Sequence, residues 1–205
     1  MCDAGNNWGK CESGREAMGC GPQETYRNCA DIAIRDGAGI RGPYMSASLL
    51  YAPNKKQELT KRVCGQIQWR VNDGRCGPCG DRWDEEPPRP NETGGKYATN
   101  VTVRVYRPGQ TIDVILDIVA NHLGWYRFEL CPDPMETEDC FDDWPLRDAE
   151  TLQTRVPVPR NDTGLFFFRM KLPERLTCDR CVLRWHWFSG ESIHGVWWWG
   201  SDVYR

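Results

Sequence analysis

Polar and apolar positions alternate most regularly in the second half of the chain. Val101, Val103 and Val105 alternate with Thr102, Arg104 and Tyr106, and Pro108-Gly109 supplies a turn. Alternation with period two turns one face of a strand toward a core and the other toward solvent. Ile112, Val114, Leu116 and Ile118 form the next such face, Tyr126, Phe128 and Leu130 a third, and Phe166, Phe168, Met170 and Leu172 a fourth. Leu183, Trp185 and Trp187 give a fifth inner face and leave Val182, Arg184 and His186 outside. In the first half only Ala30 to Ile34 reads as a short strand. The first forty residues are rich in Cys, Gly and Asn and read as disulfide-pinned loops. Residues 64–98 are loop-like too, Pro-rich from Pro87 to Pro90, and one helical turn is expected around Gln57 to Arg62. Short strands, turn signals and no amphipathic helix predict an all-β fold. The expected form is an immunoglobulin-like or fibronectin-III-like antiparallel β-sandwich with long disulfide-pinned loops. The stretch from Ile193 to Arg205, with Trp197-Trp198-Trp199, fits no strand of that series and reads as an aberrant tail.

Composition narrows the function classes. A chain of 205 residues suits one domain with a real core. A formal charge of −3 leaves no basic stripe, which argues against nucleic acid as a partner. No apolar run approaches a membrane span. Eleven cysteines point to an oxidising compartment. Sequons at Asn91, Asn100 and Asn161 are candidate glycosylation sites and agree with secretion. The opening Met1-Cys2-Asp3-Ala4-Gly5 lacks the charged and apolar regions of a signal peptide, so a fragment or a start further upstream is expected.

Cys76/Cys79 and Cys178/Cys181 have the spacing of zinc knuckles, but among so many other cysteines disulfides are the better reading. Connectivity does not follow from spacing; Cys131 with Cys140 is the local pair expected first, and Cys2 is the candidate for the odd thiol. Three histidines, His122, His186 and His194, are too few for a three-histidine zinc site. His122, in Ala120-Asn121-His122-Leu123-Gly124, lies where one strand ends and the next begins, a place from which an imidazole can reach a metal. A turn histidine bonded to backbone accounts for the same pattern. His186 falls on the polar face of its strand and is expected in solvent. Trp125 has outward parity near His122 and could stack on a sugar ring, although scattered surface apolar residues are ordinary.

Several phrases taken together are specific. Cys76-Gly-Pro-Cys79-Gly-Asp-Arg-Trp83 leads into Pro88-Arg89-Pro90 and Gly94-Gly95-Lys96-Tyr97-Ala98-Thr99. Ala120-Asn121-His122-Leu123-Gly124, Phe128-Glu129-Leu130-Cys131-Pro132 and Cys178-Asp179-Arg180-Cys181-Val182-Leu183-Arg184-Trp185 follow. The opening Gly5-Asn6-Asn7-Trp8-Gly9 and Gly19-Cys20-Gly21-Pro22-Gln23-Glu24-Thr25-Tyr26-Arg27-Asn28-Cys29-Ala30-Asp31 belong to the same set. Together they resemble the type-4 chitin-binding, auxiliary activity family 15 lytic polysaccharide monooxygenases, over residues 5–38 and 64–190. Cys11, Cys20, Cys29, Cys64, Cys76, Cys79, Cys131, Cys140, Cys178 and Cys181 all fall on that family's cysteine positions.

The order of segments departs from the family. The resemblance implies that residues 1–38 are the displaced end of the domain or of a preceding module, 39–63 a linker, 64–192 the sandwich and 193–205 the tail. A tandem fragment, a mis-assembled gene and a circular permutant all account for this order; an incomplete or mis-assembled chain is the reading preferred here. The resemblance also implies copper, held by a chain-start histidine and a second histidine that matches His122. Tyr26 matches the aromatic at the axial face and Ala120 the small residue shaping access. The implied activity is oxidative cleavage of β-1,4 glycosidic bonds in chitin or a related crystalline polysaccharide. With no chain-start histidine in the sequence as given, this chain is expected to be inactive by itself. A non-catalytic chitin-binding module or a structural cysteine-rich extracellular domain is the alternative.

Overall fold

The computed structural model describes residues 8–11, 13–18, 20–37, 64–98, 100–118, 121–133, 135–158 and 163–190. Cys2, the helical turn expected at 57–62, Ala120, Asn161, His194 and the tryptophan run lie outside the described residues.

Along the chain, β1 (Trp8–Lys10) and β2 (Glu16–Met18) form a hairpin pinned by the Cys11–Cys20 disulfide. Then come β3 (Thr25–Ile34), α1 (Gly65–Arg70), β4 (Arg104–Tyr106), β5 (Thr111–Ile118) and β6 (Trp125–Cys131). After them follow α2 (Glu138–Asp143), β7 (Arg147–Asp148), β8 (Val156–Pro157), β9 (Gly164–Lys171) and β10 (Cys178–Phe188). A five-stranded sheet in the order β4-β3-β10-β6-β8 faces a three-stranded sheet in the order β5-β9-β7. This is the expected β-sandwich. Its ladders are antiparallel except the short parallel one between β3 and β4.

The alternating faces explain the core. Ile112, Val114, Leu116 and Ile118 of β5 and Phe168 and Met170 of β9 pack against Tyr126, Phe128 and Leu130 of β6 and Leu183 and Trp187 of β10. Burying side chains of this size contributes roughly 1.5–3 kcal/mol each. The first valine run behaves differently: only Arg104–Tyr106 pairs, Tyr106 is the buried member, and Val101 and Val103 are exposed. The pleat there presents the opposite parity to the core, because Ile32 to Ile34 of β3 fix the register of β4.

β3 is longer than its apolar residues suggest. From Thr25 to Ile34 it lies between β10 and β4, and the Cys29–Cys79 disulfide ties it to the loops of residues 64–98. The remaining bonds are Cys64–Cys76, Cys131–Cys140 and Cys178–Cys181. Cys178 and Cys181 therefore bond to each other, whereas Cys76 and Cys79 take separate partners.

The outer face of β10 corrects the sequence reading. Val182, Arg184 and His186 are buried, because loops 64–98 and α2 cover that side of the sheet. Cys79, Cys131, Phe141 and Val182 make a second small apolar cluster there. α2, a helix that the hydrophobic pattern does not signal, is capped by Thr137, whose hydroxyl accepts from Cys140 N at 3.2 Å, and it buries Phe141.

Candidate functional site

One end of the five-stranded sheet brings three chain segments together. Phe188 of β10 stands opposite Thr25 of β3 on one side and Trp125 of β6 on the other. Ser189 donates from its backbone N and its hydroxyl to Glu24 O at 3.1 and 2.7 Å. Gly190 N donates to His122 O at 2.9 Å. The turn before β6 holds His122 in place through local chemistry. Asn121 Oδ1 accepts from Leu123 N at 2.7 Å, and Leu123 and Gly124 both have positive φ. Gly124 is required there, since a Cβ would lie 1.9 Å from Phe188 O.

On the core side of this end the His122 ring lies parallel to Tyr26, with centroids 5.8 Å apart, and 5.6 Å from Trp187. Tyr26 and Trp187 are 4.9 Å apart, and Trp187 Nε1 donates to Leu123 O at 2.7 Å, tying the indole to the histidine turn. The Tyr26 hydroxyl donates to Glu24 Oε2 at 3.0 Å. On the opposite side Trp125 stacks on Phe188 at 3.9 Å, with the Arg155 guanidinium 4.5 Å from its ring. The structure thus brings Tyr26 and His122 together and sets Trp125 around the edge of the same sheet.

Imidazole is an appropriate donor for copper. Among the described residues, however, no group of three or more His, Cys, Asp or Glu side chains could hold a metal ion. The described residues fit copper in ligand chemistry and fall short in number, since His122 supplies one imidazole and no further candidate ligands group with it.

His186 has a different role. It is 4% exposed, lies opposite Arg27 on β3 and Arg127 on β6, and its Nε2 accepts from Arg27 Nε at 3.1 Å. An accepting Nε2 puts the proton of the neutral ring on Nδ1, which lies 3.8 Å from Glu129 Oε2. Burial first, and then Arg27, Arg184 and Arg127, push its pKa well below that of an ordinary histidine. It is a neutral spacer between arginines. Two residues back on the same face, Arg184 Nε donates to Glu129 Oε2 at 2.6 Å, and its NH1 reaches both oxygens of Glu138 at 3.1 and 3.2 Å. The guanidinium also lies 3.9 Å from the Phe141 ring centroid. This buried network, like the pairing of Trp187 with Leu123, depends on partners far apart in sequence. The Asn-His-x-Gly turn is a local signal that the sequence carries for the His122 end.

The pattern of the family described as "Lytic polysaccharide mono-oxygenase, cellulose-degrading" matches residues 10–203. The chain belongs to this lytic polysaccharide mono-oxygenase family. Among solved structures it is similar to the auxiliary activity family 15 lytic polysaccharide monooxygenase from Thermobia domestica in the Cu(I) state. That similarity has 43% identity and a TM-score of 0.59, covering 62% of this chain and 67% of that one. Comparison with curated proteins finds no match.

Proposed function

We propose that the sheet end built by His122, Tyr26 and Trp187 faces chitin or a related crystalline polysaccharide, and that His122 gives one nitrogen to copper there. The observation that carries this reading is the parallel placement of the Tyr26 and His122 rings, brought from β3 and from the turn before β6. Copper, when bound, supplies the oxidative chemistry that breaks the glycosidic bond. The residues of the chain itself hold and orient. Trp187 anchors the histidine turn through Leu123 O, Gly124 lets that turn close against β10, and Tyr26 walls the space beside the imidazole. Five disulfides agree with a secreted protein. Among the described residues no helix is long and apolar enough to cross a membrane.

A second reading, a chitin-binding module without turnover, is favoured by the single imidazole at this end among the described residues. Sedimentation with chitin, with and without a chelator, separates the two when combined with nitrogen hyperfine structure in the Cu(II) spectrum. Chelator-sensitive binding and nitrogen couplings that vanish in His122→Ala support the copper reading. Binding indifferent to chelator, with no His122-dependent spectrum, leaves the plain binding module. Failure to bind chitin at all removes both.

A further inference from the structure

Trp69, near the end of α1, is 41% exposed although two separate features hold it still. Its Nε1 donates to Gln23 O at 2.9 Å. Its six-membered ring lies against Gly74, where a Cβ would come within 2.7 and 2.8 Å of Cζ3 and Cη2. Gly74 has φ +83°, so a side chain there would be disfavoured on backbone grounds as well.

The neighbouring Gln68 is buried and bolts this segment to β3. Its Oε1 accepts from Thr25 N and Oγ1 at 3.3 Å each, and its Nε2 donates to Gly74 O at 2.8 Å. The Cys64–Cys76 disulfide closes the loop around α1. A half-exposed indole is ordinarily free to change rotamer; this one is fixed at its nitrogen and along its benzo edge.

Its position matters as much as its rigidity. Gln23 leads directly into Glu24, whose carbonyl meets Ser189, and then to Tyr26 beside His122. Three residues of chain span at most about 10 Å, so Gln23, the anchor of the indole, is a few ångströms to one nanometre from Tyr26. We infer that Trp69 is a sugar-stacking residue, holding one pyranose ring of the polysaccharide chain whose neighbouring rings run past His122 and Tyr26. A flat aromatic face fixed before binding gains contact area without losing rotamer freedom when the sugar arrives. Its substrate class is the β-1,4-linked, equatorially substituted polysaccharide, whose rings present C–H faces to such a surface. This inference rests on the polysaccharide-facing role proposed above for the same sheet end.

The test is equilibrium binding to washed chitin particles by the full chain, its Trp69→Ala variant and its Trp69→Phe variant, with guanidinium unfolding of each under non-reducing conditions. Trp69→Ala should weaken binding about tenfold, the ratio that corresponds to roughly 1.4 kcal/mol. Trp69→Phe, which keeps an aromatic face but not the N–H, should stay within about threefold of the parent. Should Trp69→Ala destabilise the fold, the phenylalanine variant still decides. Parent-like binding by Trp69→Ala, or loss by Trp69→Phe at a parent-like unfolding midpoint, overturns the stacking role while leaving the polysaccharide reading standing. Absence of chitin binding by the parent chain overturns both.

Discussion

Replacing Arg184 with Met tests whether the buried charges of the outer β10 face hold the sandwich together. Arg184 is 1% exposed and Glu129 0% exposed, so neither can turn to water when its partner is lost. In Arg184→Met the Glu129 carboxylate keeps Arg127, whose Nε lies 2.9 Å from Oε1, and Glu138 keeps Arg27. What disappears is the 2.6 Å bond to Oε2, the pair of contacts to Glu138 and the guanidinium over Phe141. Breaking one partner of a buried pair costs roughly 3–5 kcal/mol, most of it the penalty of an under-paired charge. The residual pairing to Arg127 places the expectation near the lower bound, about 3 kcal/mol, a large part of the roughly 5–15 kcal/mol stability usual for a domain. Guanidinium unfolding with disulfides intact measures it, provided the m-value is unchanged. The double variant Arg184→Met with Glu129→Leu should regain most of the loss, because no uncompensated carboxylate remains and Arg127 still reaches Asp142 at 3.0 Å. A single-variant cost below about 1 kcal/mol would refute the reasoning, as would a double variant no better than the sum of the two singles.

The other expectations follow from the same geometry. His186 is faced by Arg27 from β3, Arg127 and Glu129 from β6, and Arg184 and Phe188 from its own strand. Its pKa is depressed on folding, so the unfolded chain takes up the proton first as pH falls. Its share of stability is complete above about pH 6.5 and declines below it, by at most about 1.4 kcal/mol per pH unit; melting temperatures between pH 5 and 7.5 should show a slope that His186→Gln flattens. Removing the Cys29–Cys79 bond as a Cys29→Ser/Cys79→Ser pair opens a loop with a sequence separation of 50 residues. The chain-entropy estimate for that loop is roughly 4 kcal/mol, so the midpoint of denaturation should fall steeply, and an unchanged midpoint would show that this covalent tie adds nothing. Among the sequons, Asn100 is exposed and its Oδ1 accepts from Arg180, whereas the Asn91 side-chain amide and backbone N both donate to Asp81. On a secreted preparation, peptide mapping should find glycan at Asn100 and none at Asn91.

The legible part of the fold was the part governed by period-two alternation. The faces of β5, β6 and β9 and the inner residues of β10 could be assigned because each buries one side against the opposite sheet. Alternation says which residues share a face, but not whether the other face is wet. Arg184 and His186 were therefore assigned to solvent, while a disulfide-pinned loop and a six-residue helix cover them. β3 was underestimated for a related reason. Tyr26-Arg27-Asn28-Cys29 shows no apolar period, yet β10 pairs with every one of those residues. At the site, His122 stood out by its place at a strand end, with a turn histidine as the competing reading, whereas Tyr26 was named through a family resemblance alone, since their proximity comes from strands distant in sequence. The role of Gly124 and Asn121 in setting the histidine turn was visible as a residue type but not as a contact.

The central position of β3 has a consequence for how the chain is made. Its pairing with β10 runs from Thr25 opposite Phe188 to Cys178 opposite Ile34, so among the described residues an early strand waits for a late one. At the usual ribosomal pace of about 5–20 residues per second, that wait is on the order of 10–30 s. Throughout it Ile32, Ala33 and Ile34, all completely buried in the finished sheet, have at most β4 beside them and lack the β10 edge of their ladder. Cys29 must likewise remain unpaired, or pair wrongly, until Cys79 is available. Biogenesis of this sandwich therefore leaves one edge of a nascent apolar strand, and for a shorter time one thiol, waiting for later segments, a demand set by the order of its segments rather than by the stability of its final state.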